Sequence, residues 1–167
     1  MTGPGLSTGT SLYGRLLGLL DTSGVRYEVL AHPAEGRTDR ASRLRGHPLP
    51  AAAKSMVVTV SGDGRPDSHV IAVVPGDRRV DLARVARLCG GRKARFTGRA
   101  RAEELAGSVS GSIIPFSLDG SLDVLADPVL LREPVLYFNA ARLDLSVALH
   151  TDDYRALAGP TVAPITE

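Results

Sequence analysis

The stretch AAAKSMVVTVSGDGRPDSHVIAVV, residues 51 to 74, decides how this chain is read. Its two apolar, β-branched runs, Met56 to Val60 and His69 to Val74, read as strands, and SGDGRPD between them reads as a turn. Gly62 and Gly64 supply the turn, and Pro66 is expected to keep it from extending either strand. A single lysine, Lys54, stands at the head of the first run. It is one of only two lysines among 20 basic residues, the other being Lys93. A lysine placed there can lay its stem on apolar surface and hold a compact ammonium at a cleft mouth, where it suits a phosphate or carboxylate. An ordinary strand-end lysine reads the same way.

Before this hairpin, Leu12, Leu16, Leu19 and Leu20 recur at helical spacing, and Ser23-Gly24 ends the pattern, which predicts an amphipathic helix over residues 11 to 22. A strand follows near Val25 to Leu30, then a Pro/Gly/Arg-rich connection as far as Pro50. Beyond the hairpin, Asp81 can cap a helix whose Leu82, Val85, Ala86 and Cys89 share one face, and Gly90-Gly91 closes it. A short strand near Ala94 to Phe96 and a brief helix around Ala102 to Leu105 come next. Three extended runs, Leu122 to Leu125, Val135 to Phe138 and Leu145 to Leu149, precede a last helix, TDDYRALAG. Thr151 is expected to cap that helix, with its two aspartates at the positive end. Helices placed irregularly among mostly β segments imply an α+β fold, a mixed, barrel-like curved β-sheet with flanking helices. Residues 1–10 read as a disordered tail, 11–160 as a single domain and 161–167 as a C-terminal tail.

A chain of 167 residues, 43% hydrophobic and 23% charged, is the length and composition of one soluble globular domain. No apolar run approaches the ~20 residues needed to span a bilayer, and the first residues lack a signal peptide's basic start and apolar centre, so a cytoplasmic address is expected. Cys89 has no partner for an internal disulfide. His32, His47, His69 and His150 show no metal-ligand spacing, so neither a metal nor another cofactor is expected. The net charge is only +2, yet Arg37, Arg40, Arg43 and Arg45 crowd within nine positions and Arg92, Lys93, Arg95, Arg99 and Arg101 within ten. Each cluster is either a patch for a phosphate backbone or a solvated charged face.

Familiar catalytic motifs fail on inspection. GSVSG at residues 107 to 111 has valine where a nucleophile elbow needs serine, and AAAKS lacks the glycines of a P-loop. What remains is Lys54 together with Gly111-Ser112-Ile113-Ile114-Pro115. A Gly-x-x-x-Pro loop leaves backbone N–H and C=O groups accessible while proline fixes its exit, and such groups can hold an amino group, a carbonyl or an attacking water. Taken alone, the loop is also readable as a simple turn.

In this order and context, KSMVVTVSGD, HVIAVVPGDRRVDLARVARLCGGRKARF, AEELAGSVSGSIIPF and VLYFNAARLDLSVAL resemble the YbaK/ProX family of aminoacyl-tRNA deacylases. These are free-standing relatives of the editing domain inserted in bacterial prolyl-tRNA synthetase. The likeness covers about 100 of the 167 residues, and VRYEVLAHP extends it toward the N-terminus. It implies trans-editing: hydrolysis of the ester that joins a wrong, small amino acid to the tRNA 3′ end, in the service of translation quality control. Alanine is the first expectation, then serine or cysteine, with tRNA(Pro) the tRNA that the prolyl relatives suggest and a synthetase a further partner. In the family the lysine holds the 3′-terminal nucleotide and the loop shapes the pocket. Carried over, the catalytic roles fall to Lys54 and Gly111. The substrate-binding roles fall to Ser112, Ile113, Pro115 and Phe116, with Ser55 and Asn139 at the small polar positions and His32 as a lining donor. The chain departs from the pattern at Asn139-Ala140-Ala141-Arg142, which lacks glycine, at Ser146, where an acid is usual, and at His32, where an aromatic is usual.

An aminoacyl ester is already activated, so its hydrolysis asks for a positioned water and a stabilised oxyanion more than for a protein nucleophile. Two other readings use the same residues differently. The fold could bind or sense aminoacyl-tRNA or a free amino acid without cleaving it, or an unrelated RNA- or protein-binding domain could use the arginine clusters and leave Lys54 idle.

Overall fold

A computed structural model describes residues 11–167; the expected disordered tail, residues 1–10, lies outside them. Helix α1 (Leu12–Ser23) forms as the leucine spacing predicts, with Ser11 Oγ accepting the Gly14 N–H at its start and Gly24 closing it at φ 72°. Its Leu16 and Leu20 are fully buried. Strand β1 (Tyr27–Ala31) follows. The connection after it is not featureless, for it contains helix α2 (Thr38–Arg45), closed by Gly46 at φ 79°. Six of its eight residues are polar or charged, so it carries little apolar periodicity and was invisible to a hydrophobic pattern.

The hairpin forms from two long strands, β2 (Ala53–Gly62) and β3 (Arg65–Pro75), paired in register from Ala53–Pro75 to Gly62–Arg65. Both begin or end outside the expected runs, and Pro66 lies inside β3. It is tolerated because the register shifts between Val60 and Gly62 and because the parallel neighbour of β3 pairs only from Val70 onward, so the proline nitrogen faces no donor requirement there. The remaining elements are α3 (Leu82–Leu88), β4 (Lys93–Phe96), α4 (Arg99–Ala106), β5 (Asp123–Ala126), β6 (Val135–Asn139), β7 (Leu145–His150), α5 (Thr151–Ala158) and β8 (Thr161–Val162). Asp81 caps α3 as expected, its side chain accepting the Arg84 N–H at 3.1 Å. Thr151 does not cap α5: it is the first helical residue, and its hydroxyl donates to the Glu133 carbonyl instead.

The strands make two sheets, a five-stranded one in the order β4-β2-β3-β5-β8 and a three-stranded antiparallel one in the order β1-β7-β6. The fold is therefore mixed α+β. A closed barrel is not formed; the sheets touch at one bridge, Ala52 to Tyr137. One apolar core lies between them and takes in α1 and α5, with Phe116, Phe138 and Tyr154 at its centre. A second lies between the five-stranded sheet and α3 and includes Val58, Val74, Val85 and Ile165.

Residues 161–167, expected as a tail, are built into the second core. Strand β8 pairs with β5, Ile165 is fully buried, and the buried Asp127 carboxylate accepts the N–H groups of Ile165 (2.8 Å) and Thr166 (3.1 Å). A seven-residue run broken by Pro164, with no periodicity, gives no sign in sequence of such a long-range anchor. Among the described residues no helix is long and apolar enough to cross a membrane, and no cluster of side chains suits a metal ion.

Candidate active site

After β1 the chain crosses the β6–β7 turn as a strap, pinned where the His32 N–H donates to the Asp144 carbonyl (3.1 Å) and the Glu35 N–H to that of Leu143 (3.0 Å). This brings Gly36 against Gly111, backbone to backbone. A Cβ added at Gly111 would sit 2.6 Å from the Gly36 Cα, and Gly111 has φ +89°. Space and dihedral both demand glycine at position 111. The loop that carries it is held from the other side by Glu103, whose carboxylate accepts the Ser110 N–H at 2.7 Å.

Behind this contact lies a small cavity, with about 50 Å³ of space wide enough for water, lined by Lys54, Ser55, Gly111, Ile113, Asn139 and Arg45 among others. Lysine and loop, 57 positions apart in sequence, thus meet at one cavity. The Lys54 ammonium sits at its rim and donates to the carbonyls of Arg78 (2.6 Å) and Gly76 (3.5 Å). Burial lowers its pKa; nearby Asp77 opposes that shift and Arg79 adds to it. The neighbouring Ser55 hydroxyl is buried and has no hydrogen-bond partner among the described residues. A buried, unpaired hydroxyl is unfavourable by roughly 1–3 kcal/mol, so one facing a cavity is a ready contact for something that enters it.

Asn139 organises the cavity's inner wall. Its amide nitrogen donates to the carbonyls of Gly111 (2.9 Å) and Glu35 (2.8 Å), which clamps loop and strap together. Its oxygen accepts from Ser146 Oγ (2.8 Å) and from Arg45 Nη1 (3.1 Å), so all of its hydrogen-bonding capacity is used. Arg45 Nη1 also donates to Ser146 Oγ (3.2 Å), and His32 Nε2 lies 2.7 Å from the same hydroxyl. His32 stands behind the wall and touches Ser146 instead of lining the cavity.

Arg45 is the residue that sequence reasoning missed. It was counted in a surface cluster, yet it reaches inward from the end of α2, and no described carboxylate is paired with it. Burial lowers its pKa to about 10, and the Tyr137 hydroxyl opposes the shift. Its position directly before Gly46, a helix-ending glycine, was the one available signal, and only recognition of α2 would have made it readable. Two cations, Lys54 and Arg45, therefore border the cavity, with no carboxylate in the lining.

Arg45 also fixes the state of His47. Arg45 Nε donates to His47 Nε2 at 2.9 Å, so the imidazole is neutral, with Nδ1 donating to the Pro48 carbonyl (2.8 Å) and the ring stacked on Tyr137 at 3.9 Å. Burial, with Arg45 adding to it and the Pro48 carbonyl opposing, lowers its pKa to about 4. That lies below the ordinary value near 6.5, so the unfolded chain takes up this proton first. The stability tied to the neutral ring is complete above about pH 6.5 and is lost as pH falls toward 4. Discounted for a half-buried ring, the loss is on the order of 1–2 kcal/mol. Thermal melts should show Tm falling across that window in the wild type and falling less in His47→Gln, whose amide oxygen can still accept from Arg45. Equal slopes would remove His47 as the source.

The remaining expected site residues do not line this cavity. In the loop after Gly111 most side chains are turned to the interior: Ser112, Ile114, Pro115 and Phe116 are buried, and of the loop's side chains Ile113 alone lines the cavity. The Ser112 hydroxyl donates to the Val109 carbonyl (2.7 Å) and closes the turn. The Pro115 carbonyl accepts the Tyr154 hydroxyl (2.8 Å), and Phe116 packs edge-on against Tyr154 at 5.3 Å. These residues set the loop's shape from behind.

Residues 32–157 match the model of the aminoacyl-tRNA editing domain family. The chain is 38% identical over 156 residues to the multifunctional Ser/Thr-tRNA deacylase ProXp-y of Escherichia coli K12, covering 93% of both chains. It is 30% identical over 95 residues to a proline–tRNA ligase of Stenotrophomonas maltophilia, covering 57% of this chain and 17% of the ligase. Among solved structures, a candidate trans-editing enzyme for prolyl-tRNA synthetase superposes with a TM-score of 0.78 at 26% identity over 93% of this chain and 97% of that one. The hypothetical protein APE2540 shares the fold, with a TM-score of 0.82 at 19% identity over 92% and 99% of the two chains. A lysine and a Gly-x-x-x-Pro loop meeting at one small cavity, in a chain that matches over nearly its whole length, place this protein in the aminoacyl-tRNA editing domain family as a deacylase that acts in trans on mischarged tRNA.

Proposed function

We propose that the cavity between Lys54 and Gly111 receives the aminoacyl ester at the tRNA 3′ end and that serine and threonine are the amino acids it removes best. The observation that carries this reading is the buried Ser55 hydroxyl, unpartnered among the described residues, on the wall of a cavity of only about 50 Å³. So small a space suits a small side chain. A wall that offers a hydroxyl a partner favours a hydroxylated amino acid over one that leaves Ser55 unpaired. The name of the Escherichia coli relative points the same way. Alanine and cysteine, which fit by size, become the poorer substrates.

Lys54 anchors the terminal nucleotide's phosphate from the rim. The N–H groups of Gly111 and Ile113, which have no acceptor among the described residues, face the ester carbonyl as its oxygen gains charge. Asn139 holds their loop in place, and Arg45 in turn holds Asn139 and adds positive potential to the cavity. A water oxygen bonds to the carbonyl carbon, the ester C–O bond breaks, and the ribose oxygen leaves with one of the water's protons; the free amino acid and intact tRNA are released. The ribose 2′-hydroxyl is placed to pass that proton. Work on free mischarged tRNA implies a cytoplasmic setting beside a synthetase.

Incubation with seryl-, threonyl-, alanyl- and cysteinyl-tRNA tests the proposal. Release of serine and threonine should exceed that of alanine, and Ser55→Ala should narrow the gap by about tenfold, the effect of one hydrogen bond to a buried partner. Faster release of alanine than serine by the wild type would overturn the assignment of amino acid. Binding of all four tRNAs with no release would favour a sensing module.

A further inference from the structure

Strand alternation sends Lys54 to the same sheet face as Met56 and Val58, away from Ser55. Phe96 on the edge strand β4 is the direct cross-strand partner of Val58 and shares that face. Val58 is fully buried, whereas Phe96 is 49% exposed. The result is a second recess, of about 600 Å³, floored by Met56, Leu82 and Phe96 and rimmed by Lys54, Arg79 and Glu167. Lys54 lines this recess and the ester cavity alike. Asp81 also borders it, but its carboxylate is engaged by the Arg84 N–H and guanidinium.

We propose that this recess is a nucleotide subsite, which takes the unpaired cytidine immediately preceding the terminal adenosine of the tRNA. The inference rests on the deacylase reading of the neighbouring cavity. With the aminoacyl ester seated beside Gly111 and the terminal phosphate at Lys54, the strand must leave past Lys54, and the recess begins there. An exposed aromatic ring flanked by cations is the usual platform for single-stranded nucleic acid, the base stacking on the ring and the phosphate meeting the cations. A volume of this order holds one nucleotide with room to spare. The Glu167 carboxylate at the rim is an acceptor suited to the exocyclic amine of cytosine. Every tRNA ends in C-C-A, so a subsite of this kind adds affinity without selecting one tRNA.

Kinetics on two substrates separate this subsite from the ester cavity. Phe96→Ala should lower kcat/KM on seryl-tRNA by about tenfold or more, the usual loss of one base–aromatic stack, while hydrolysis of 3′-O-seryl-adenosine stays unchanged and Phe96→Tyr restores the rate on tRNA. Arg79→Ala should flatten the salt dependence on seryl-tRNA, with a change in log–log slope of about 0.7 per lost phosphate contact. An equal loss on both substrates, or no loss on tRNA, would overturn the subsite. A binding measurement needs no turnover. The chain has no tryptophan, so Phe96→Trp installs a single indole that can be excited apart from the tyrosines, and the trinucleotide C-C-A should quench it whereas adenosine should not. Failure of that quenching sinks the subsite even if deacylation proceeds. Quenching without deacylation by any variant would support the subsite and count against the deacylase reading. Quenching by adenosine alone would place a different nucleotide here and overturn the assignment.

Discussion

Replacing Lys54 with alanine is expected to reduce kcat/KM for deacylation of seryl-tRNA by a hundredfold or more with the fold left standing. The ammonium is fixed at the rim of the cavity by the Arg78 carbonyl at 2.6 Å, so its position is set before substrate arrives. Loss of one preorganised donor of this kind costs on the order of 3 kcal/mol of transition-state stabilisation, about two powers of ten in rate. No other side chain can substitute. Lys93 lies on the edge strand paired with Ser61, far along β2, and Arg45 is committed to Asn139, Ser146 and His47. Lys54→Arg should recover little, because a planar fork cannot keep the single close bond to a backbone carbonyl that orients the ammonium. Tm should move by only a few degrees, since the substitution removes a half-buried cation and leaves its apolar neighbours in place. Single-turnover release of labelled serine, read beside a thermal melt, checks both halves. Undiminished release by Lys54→Ala would remove Lys54 from the mechanism.

The second large effect is expected at Gly111, where the fold and the chemistry fail together. Gly111→Ala places a Cβ 2.6 Å from the Gly36 Cα and 2.8 Å from its carbonyl oxygen, and both obstacles are backbone. The left-handed dihedral of +89° adds roughly 1–2 kcal/mol for any residue with a Cβ. Together these should destabilise the protein by about 3 kcal/mol or more and lower Tm by roughly 6–12 °C for a chain of this size. The strap is pinned at both ends and Asn139 grips the loop, so the strain would be relieved by moving Gly111 out of the cavity wall; activity should fall further than Tm implies. Gly36→Ala is the control. It concerns the other half of the same contact, yet its Cβ would meet nothing closer than 3.5 Å, an ordinary distance. That variant should keep near-normal stability. Equal tolerance at both positions would show that the two backbones do not press on each other as described.

His47 and Phe96 extend these tests to parts of the molecule that sequence alone left without a role. His47 offers no metal-ligand spacing in sequence and stacks on Tyr137 in the fold, but its hydrogen bond from Arg45 ties its protonation to the wall of the cavity. Phe96 was read only as part of a short strand. Its exposure became meaningful once Lys54 was found on the same face of the sheet.

The β2–β3 hairpin, α1, α3 and the late strands were legible because each repeats its apolar residues at the period of the element it forms, and that is a property of local sequence. Lys54 and the Gly-x-x-x-Pro segment were legible as chemistry for a similar reason: a lone lysine at a strand head, and a glycine and proline that punctuate a loop, keep their character in any fold. Helix α2 escaped because polar residues give no periodicity, and with it went Arg45 as a cavity residue. The strand β8 escaped because its anchor, Asp127, is more than thirty positions away. Which loop side chains face the ester cavity was likewise beyond local reasoning. Ser112 and Phe116 looked as suitable as Ile113 until the Val109 carbonyl took the Ser112 hydroxyl and Phe138 and Tyr154 took the Phe116 ring. What the residues determined by themselves was which groups could bind an activated ester. Tertiary structure alone decided which of them share a cavity, because that depends on Gly111, whose missing side chain lets its backbone lie against that of Gly36, 75 positions away.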